Sequence, residues 1–250
     1  MPGAARYPRI LTYHEISSRF HLGVNCVSPQ TFRSHLEFLR QTELSIVKLR
    51  GLSNSNTANT VTLTFDDGYS SFYDEVLPAL VENRIPATLF VITEYVGRNN
   101  DWDVTFGINR RRHLDWEKIK EISNYGIEIG SHSRTHRDLT RLATADLHRE
   151  LTDSKKILED KTGLEITSLA LPFGAATLDV FIEARTLGYR EICGCVPGFY
   201  GPLPGILPRM PVYRGDTIRT LRRKLEFNPR EILRLRLLHA CSMGTRLLKG

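Results

Sequence analysis

Short apolar segments alternate with amphipathic segments along the chain. The apolar segments are rich in branched and aromatic residues, and each has the length of a strand. The amphipathic segments place leucine and phenylalanine at helical spacing, and several begin at a capping residue such as Ser28 or Asp115. We therefore predict strands at residues 9–13, 46–49, 61–65, 87–92, 126–130, 168–171 and 190–195, and helices at 29–39, 72–83, 115–123, 144–158, 180–186 and from 228 onwards.

This alternation is typical of an α/β fold with parallel strands. Seven or so strand-helix units in one chain favour a closed or partly closed barrel over an open sheet. In a barrel of this kind, the chemically active side chains gather where the strands end. The residues that come directly after each predicted strand are therefore the first candidates for a functional site.

The composition changes this picture mainly through an uneven distribution of charge. The chain has 250 residues, of which 41% are hydrophobic, and this is enough for one substantial core. From residue 214 onwards there are ten Lys or Arg and three Asp or Glu, so this segment has a net charge of +7, whereas the whole chain has a net charge of +6. Residues 1–213 are close to neutral, and nucleic-acid binding by them is not indicated. We predict one main domain over residues 1–213 and a basic amphipathic tail over residues 214–250.

The tail has the pattern of a basic helix. Asn228 and Pro229 form a helix start, after which leucines alternate irregularly with arginines. Residues 228–250 are suited to lie on an anionic membrane surface; the alternative is a terminal helix that packs on the main domain with its arginines in water. The first eleven residues lack a signal-peptide core, and no segment is apolar enough to span a bilayer. We expect a cytoplasmic protein, with peripheral attachment at the inner membrane face if the helix binds lipid.

Two adjacent acids provide the first candidate chemistry. Asp66 and Asp67 come directly after the predicted strand 61–65, and Gly68 lets the backbone turn so that both carboxylates face one cavity. Adjacent carboxylates repel each other, and a metal bound to one of them leaves the other free as a base. The alternative is a simple turn, in which Asp-Asp-Gly is also common.

Two histidines lie after the strand predicted at 126–130. His132 and His136 are four residues apart, so on one helical turn both imidazoles would share a face. Neutral imidazole is a common ligand of zinc, nickel and iron. Two imidazoles and one carboxylate leave positions open for water and substrate, which indicates a catalytic metal site. The alternative is a pair of surface histidines in a loop, and the nearby acid pair weakens it.

Three motifs resemble those of the NodB-like polysaccharide deacetylases, carbohydrate esterase family four. They are Thr64-Phe65-Asp66-Asp67-Gly68, His132-Ser133-Arg134-Thr135-His136 and Leu171-Pro172-Phe173-Gly174, in the order and at the spacing of that family. Tyr13-His14 near the start, with Arg209 after Leu207-Pro208, is similar to the branch that includes the biofilm poly-N-acetylglucosamine deacetylases. The resemblance covers about residues 9–213 and leaves out the tail. The first two of the three motifs are the ones specific to that family.

The resemblance implies a distorted (β/α) barrel that removes N-acetyl groups from amino sugars of a polysaccharide or a lipid-linked glycan precursor. It implies that Asp66 is the general base and that one divalent ion is held by Asp67, His132 and His136. We expect this ion to be zinc, with nickel, cobalt or iron as alternatives. One wall of the substrate groove is implied to be formed by Pro172, Phe173 and Gly174.

Two features depart from the family pattern. Many members protonate the leaving amine with a histidine in a C-terminal Leu-x-His pattern, for which this chain has only His239. His14 of the biofilm-type motif is therefore the candidate general acid, and a buried structural histidine is the alternative. The arginine usually found two residues before the motif-three proline is Ala170 here. Arg209 is the candidate to orient Asp66 instead, with a surface salt bridge as its alternative.

Two other functions stay open from the sequence. The same metal site in this fold also serves other carbon-nitrogen hydrolases, such as those acting on cyclic imides or amides. The missing motif-three arginine also admits a catalytically inactive carbohydrate-binding protein. The intact acid pair argues against that second alternative, because a binding protein has no use for an unligated Asp66 beside a metal.

Overall fold

The computed structural model describes residues 7–18, 24–52, 57–100, 111–197, 199 and 204–242. Its strands are Arg9–Tyr13 (β1), Glu15–Ile16 (β2), Cys26–Val27 (β3), Ser45–Ile46 (β4), Thr60–Phe65 (β5), Thr88–Val91 (β6), Glu128–Ser131 (β7), Ser168–Ala170 (β8), Glu191–Cys193 (β9), Ile206–Leu207 (β10) and Met210–Pro211 (β11). Its α-helices are Pro29–Arg40 (α1), Leu77–Glu82 (α2), Trp116–Asn124 (α3), Thr144–Thr162 (α4), Leu178–Thr186 (α5), Ile218–Leu225 (α6) and Pro229–Ser242 (α7). A π-helical turn, Phe72–Val76, leads into α2, and 3-10 turns lie at Thr93–Tyr95, Leu139–Arg141 and Pro172–Gly174.

One curled sheet of parallel strands organises the molecule. Eight strands have the order β10-β9-β8-β7-β6-β5-β1-β11, and β4 also pairs with β5. The sheet forms a half-barrel with helices packed on it, so the predicted α/β barrel is confirmed. The carboxyl ends of parallel strands meet at one edge, and this brings the residues after β1, β5 and β7 together.

The segment 206–211 bridges the two edges of this sheet. β10 pairs with β9 and β11 pairs with β1, so that only Pro208 and Arg209 lie between the two short strands. The Gly194 N–H donates to the Leu207 carbonyl at 2.9 Å and extends the first pairing beyond the strands. Arg209 is thereby placed where the curled sheet closes on itself.

The interior of the barrel is small and apolar. Side chains of one strand alternate between the barrel interior and the core under the helices. Gly130 makes room for the Phe90 ring, because a Cβ at Gly130 would lie 2.5 Å from it. The interior cluster consists of Ile10, Leu49, Leu52, Phe90, Ala170 and Cys193.

The segment after β4 closes the end of the barrel opposite the site. The Arg50 N–H donates to Glu128 and the Gly51 N–H donates to Glu191, both at 2.9 Å. The strand predicted at 46–49 is therefore wrong in length, since only Ser45–Ile46 is extended. The rest of that apolar stretch turns into the barrel, where Leu49 is fully buried.

The described part of the predicted tail packs on the body of the protein. Lys224 and Leu235 are fully buried. Lys224 Nζ donates to Asp216 Oδ2 at 2.7 Å and to Glu231 Oε1 at 3.1 Å, and Arg234 donates to both of these carboxylates. This buried network fixes α7 to α6 and to the loop before it. Within the described ranges, no helix is both long and apolar enough to cross a bilayer.

Replacing Lys224 with methionine is expected to lower the free energy of unfolding by about 3–5 kcal/mol, because Asp216 and Glu231 then stay buried without their central cation. Denaturant unfolding measures the change. Arg219→Met, at an exposed position of the same helix, is the control and should change the stability by less than about 0.5 kcal/mol. Equal stability of the two variants would show that the network does not stabilise the fold.

Candidate metal and active site

The acid pair lies directly after β5, at the edge where the parallel strands end. Asp66 and Asp67 are both buried. Asp67 and Gly68 have φ values of +70° and +68°, so the backbone reverses immediately after Asp66. His113 Nδ1 donates to the Asp67 carbonyl at 2.8 Å, and the Leu114 N–H donates to the Gly68 carbonyl at 2.9 Å. These bonds hold Asp67 in a backbone conformation that a non-glycine residue adopts only when its surroundings stabilise it.

Asp67 and the two predicted histidines form one cluster. The Nε2 atoms of His132 and His136 lie 3.5 Å and 3.8 Å from Asp67 Oδ1, and one ligand atom from each of the three residues lies within 4.8 Å of the other two. His132 Nδ1 donates to the Ala170 carbonyl at 2.8 Å, which leaves Nε2 as the atom that faces the cluster. Two imidazole nitrogens and one carboxylate oxygen are the donor set of a catalytic zinc site. The three residues therefore fit one divalent ion.

The two histidines do not share a helical turn, so that expectation is wrong. They lie on a loop after β7, with φ of +62° at Ser133 and +59° at His136. The buried Glu150 of α4 stabilises this loop. Its carboxylate accepts the N–H groups of Arg134 and Thr135 at 3.1 Å and 2.9 Å, and the Thr135 hydroxyl at 2.6 Å. A long-range carboxylate, rather than helical spacing, thus sets the positions of the imidazoles.

Asp66 is held by Arg209 through two parallel hydrogen bonds. The guanidinium donates to Oδ1 at 2.7 Å and to Oδ2 at 2.8 Å. Arg209 is only 4% exposed, so this contact is not the surface salt bridge of the alternative interpretation. Burial pushes the pKa of Asp66 up, but Arg209, His132 and His14 outweigh it and hold that pKa below its usual value. Asp66 is therefore an ionised carboxylate with both oxygens fixed in place.

His14 lies directly after β1 and faces the same carboxylate. Its Nε2 lies 4.0 Å from Asp66 Oδ2, and 23% of its side chain is exposed. Within the part of the chain that the structure describes, its buried Nδ1 has no hydrogen-bond partner. Among the described residues, none fixes this histidine through a hydrogen bond to Nδ1, and its Nε2 is directed towards Asp66.

The third motif supplies part of the cavity wall. Phe173 has a φ of +57°, and its ring centroid lies 4.9 Å from that of His136. Gly174 touches the loop after β9 so closely that a Cβ would lie 2.3 Å from the Cβ of Cys195. Phe173 and Gly174 line the cavity, whereas Pro172 is buried and is not among the lining residues. The predicted wall therefore consists of two of the three residues.

The cavity over the metal cluster measures about 180 Å³. It brings together Asp66, the three metal-ligand candidates, His14 and Arg209, which the sequence predicted. His239 of α7 also lines it, although the sequence pattern favoured His14 over it. Sequence reasoning missed His113 and Glu150, which fix the backbone at Asp67 and at the histidine loop. Neither of them belongs to a motif, so no sequence signal marked their roles.

The geometry agrees with comparisons to known proteins. Residues 53–192 match the polysaccharide deacetylase family. The chitooligosaccharide deacetylase of Bradyrhizobium sp. is 31% identical over 145 residues, which make up 57% of this chain and 59% of that protein. The chain spans about three fifths of the length of such curated relatives.

Two solved structures share the fold. Streptococcus pyogenes deacetylase PplD, in complex with acetate, has a TM-score of 0.73 at 23% identity over 87% of this chain and 97% of that one. IcaB from Ammonifex degensii has a TM-score of 0.72 at 22% identity, over 88% of this chain and 97% of that one. With more than half of its length matched by the family, this chain belongs to the polysaccharide deacetylases.

Proposed function

We propose that this protein is a metal-dependent hydrolase that removes N-acetyl groups from amino sugars of a polysaccharide or a lipid-linked glycan precursor. One observation carries the proposal: a cluster with the donor set of a catalytic metal shares a cavity with a separate, ionised carboxylate, Asp66. A relative named for chitooligosaccharides supports an N-acetyl amino sugar as the substrate class.

The residues of the cavity divide the tasks of amide hydrolysis. Asp67, His132 and His136 would hold the ion, for which we propose zinc, with nickel, cobalt or iron as alternatives. When bound there, a divalent ion supplies Lewis acidity and lowers the pKa of water. Asp66 accepts a proton from the attacking water, because Arg209 keeps its carboxylate ionised and oriented. His14 donates a proton to the departing amine nitrogen, which is a poor leaving group without it.

The size of the cavity limits what it encloses. Its volume of about 180 Å³ is below the roughly 300–1,000 Å³ of pockets that enclose a drug-sized ligand. A cavity of this size takes no more than the acetamido group and the sugar unit that carries it. The remainder of a polymer or a lipid carrier stays outside.

The structure bears on the two rival functions in different ways. The inactive-protein alternative rested on Ala170 in place of an arginine, and Arg209 supplies a guanidinium to Asp66 from another part of the chain. The other carbon-nitrogen hydrolases share this metal chemistry, so they are distinguished by substrate alone.

Acetate release from a panel of substrates tests the proposal. The panel contains N-acetylglucosamine oligomers, a lipid-linked N-acetyl amino sugar, a cyclic imide and a simple N-alkyl acetamide. We expect acetate from the sugars, its loss after chelation and its return with added zinc. Hydrolysis of the imide but not of the sugars would favour the rival enzyme. Metal-loaded protein that binds oligomers but hydrolyses nothing in the panel would favour the binding protein.

We also propose that the protein works at the cytoplasmic face of a membrane through the outer surface of α6 and α7. Leu233 and Leu237 are one turn apart on α7 and are 57% and 61% exposed. Arg219, Arg222 and Arg230 are exposed on the same two helices. Helices that bind anionic lipid headgroups combine exposed apolar residues with exposed arginines, as α6 and α7 do together.

Leu233→Asp/Leu237→Asp is expected to reduce co-sedimentation with anionic vesicles at low salt at least tenfold, because it removes apolar contact and adds repulsion. Each basic residue near such a surface contributes about 1 kcal/mol, so high salt should release the wild-type protein. The control is Leu178→Asp/Ile182→Asp, which changes two equally exposed residues one turn apart on α5. If both variants co-sediment with the vesicles equally well, or if the wild-type protein never co-sediments, this surface does not bind the membrane.

A further inference from the structure

The inner face of α7 forms part of the catalytic cavity. Leu235 is fully buried, and His239, four residues later on the same helical face, lines the cavity. Leu233 and Leu237 lie on the opposite, exposed face. The helix thus has one residue that anchors it in the core and another that reaches the site.

A second contact joins α7 to the loop after β9. Arg236 Nε and Nη2 donate to the Pro197 carbonyl at 2.9 Å and 2.6 Å. The same loop accepts bonds from Arg209, whose N–H donates to the Cys195 carbonyl at 3.0 Å and whose Nε donates to the Gly194 carbonyl at 3.2 Å. Since Arg209 also holds Asp66, hydrogen bonds at the two ends of the backbone segment 194–197 link α7 to the general base. His239 is therefore fixed relative to the reacting centre.

An aromatic contact sets the plane of the His239 ring. Its centroid lies 4.6 Å from that of Phe199, with the two planes at 86°. This edge-to-face arrangement is the favoured geometry for such pairs. Imidazole offers a flat apolar face and nitrogen atoms that donate or accept hydrogen bonds. A sugar ring presents the complementary surface, with C–H groups on its faces and hydroxyl groups on its rim.

We propose that His239 contacts the sugar unit in the cavity and determines which amino sugar is accepted. The inference rests on the proposed function and adds a specificity-determining residue on α7 to it. A site that bonds a substrate hydroxyl rejects sugars that lack or invert it far more strongly than an apolar wall does. His239 acts on binding, and the proton for the leaving amine comes from His14.

Steady-state kinetics of the full-length, metal-loaded protein test this role. The substrates are N-acetylglucosamine oligomers and 4-nitrophenyl acetate, which has no sugar. His239→Ala is expected to raise KM for the oligomers about tenfold and to leave kcat within about twofold, because one hydrogen bond to substrate is lost. Metal content and ester hydrolysis should not change. His239→Gln keeps a hydrogen-bonding group and should recover most of the affinity, and Ile182→Ala, at an exposed position of α5 away from the cavity, should match the wild type.

Three outcomes would overturn the inference, and they are distinguishable. An unchanged oligomer KM in His239→Ala would show that the residue does not contact the sugar. A loss of kcat of a hundredfold or more in both His239 variants, with loss of the basic limb of the pH profile, would make His239 the proton donor. Wild-type protein that hydrolyses the ester but no N-acetylated sugar would refute the proposed function, and this inference with it.

Discussion

His132→Ala and His136→Ala are expected to lose both the bound metal and the hydrolytic activity while the fold survives. Each variant removes one of three ligands, and two remaining donors do not hold a divalent ion tightly. The loss of metal affinity should exceed the roughly 10–100-fold that is typical when only a supporting partner of a ligand is removed. Elemental analysis of the purified proteins measures the metal, and acetate release measures the activity.

His148→Ala is the matched control for these variants. This histidine is exposed on α4 and bonds Glu183 at 2.7 Å, away from the cavity. It should keep the wild-type metal content and activity. Wild-type metal content in His132→Ala or His136→Ala would refute the ligand assignment.

Asp66→Asn and Asp67→Asn are expected to fail in different ways although the two residues are adjacent. Asp66→Asn should keep the metal and lose a factor of roughly 100–10,000 in kcat, because a general base is gone. Asp67→Asn should lose the metal itself, since its carboxylate belongs to the ligand cluster. Metal content and kcat, measured on the same preparations, separate the two roles.

The partner of Asp66 has to be considered in this experiment. Asp66→Asn leaves Arg209 buried without a counter-charge, which typically costs about 3–5 kcal/mol of stability. Thermal unfolding should therefore be recorded for each variant, and activity measured well below the midpoint. Asp160→Asn, at an exposed position of α4, controls for the substitution itself. Equal metal loss in the Asp66 and Asp67 variants, or only a two- to threefold change in kcat for Asp66→Asn, would contradict the assignment of separate roles to the two carboxylates.

Some of the candidate site residues could be predicted because they come directly after strands. A strand such as β5 is visible from its apolar residues, and parallel strands bring the residues at their carboxyl ends to one edge. The sequence therefore predicts that Asp66, Asp67 and His132 lie close together. Local backbone geometry could not be predicted in the same way. The positive φ at His136 depends on bonds to Glu150, which lies on a helix remote from the motif.

Short strands and buried charges could not be predicted from the sequence for a related reason. β10 and β11 are two residues each, too short for any alternation of apolar and polar positions to appear. Lys224 has the pattern of one more basic residue on a solvated helix, yet it is fully buried. Its burial depends on Asp216 and Glu231, whose proximity exists only in the folded chain.

The segment 206–211, which bridges the two edges of the sheet, also has a consequence for the order of folding. β11 pairs with β1 through Leu11 and Met210, which are about 200 positions apart in the sequence, and contacts of such separation form late. Until that pairing forms, both edges of the sheet are open and Asp66 lacks its guanidinium partner. During refolding, helix content should therefore return before turnover does. The proposed hydrolytic activity would then report barrel completion, because the step that joins the two edges also brings the arginine to the acid.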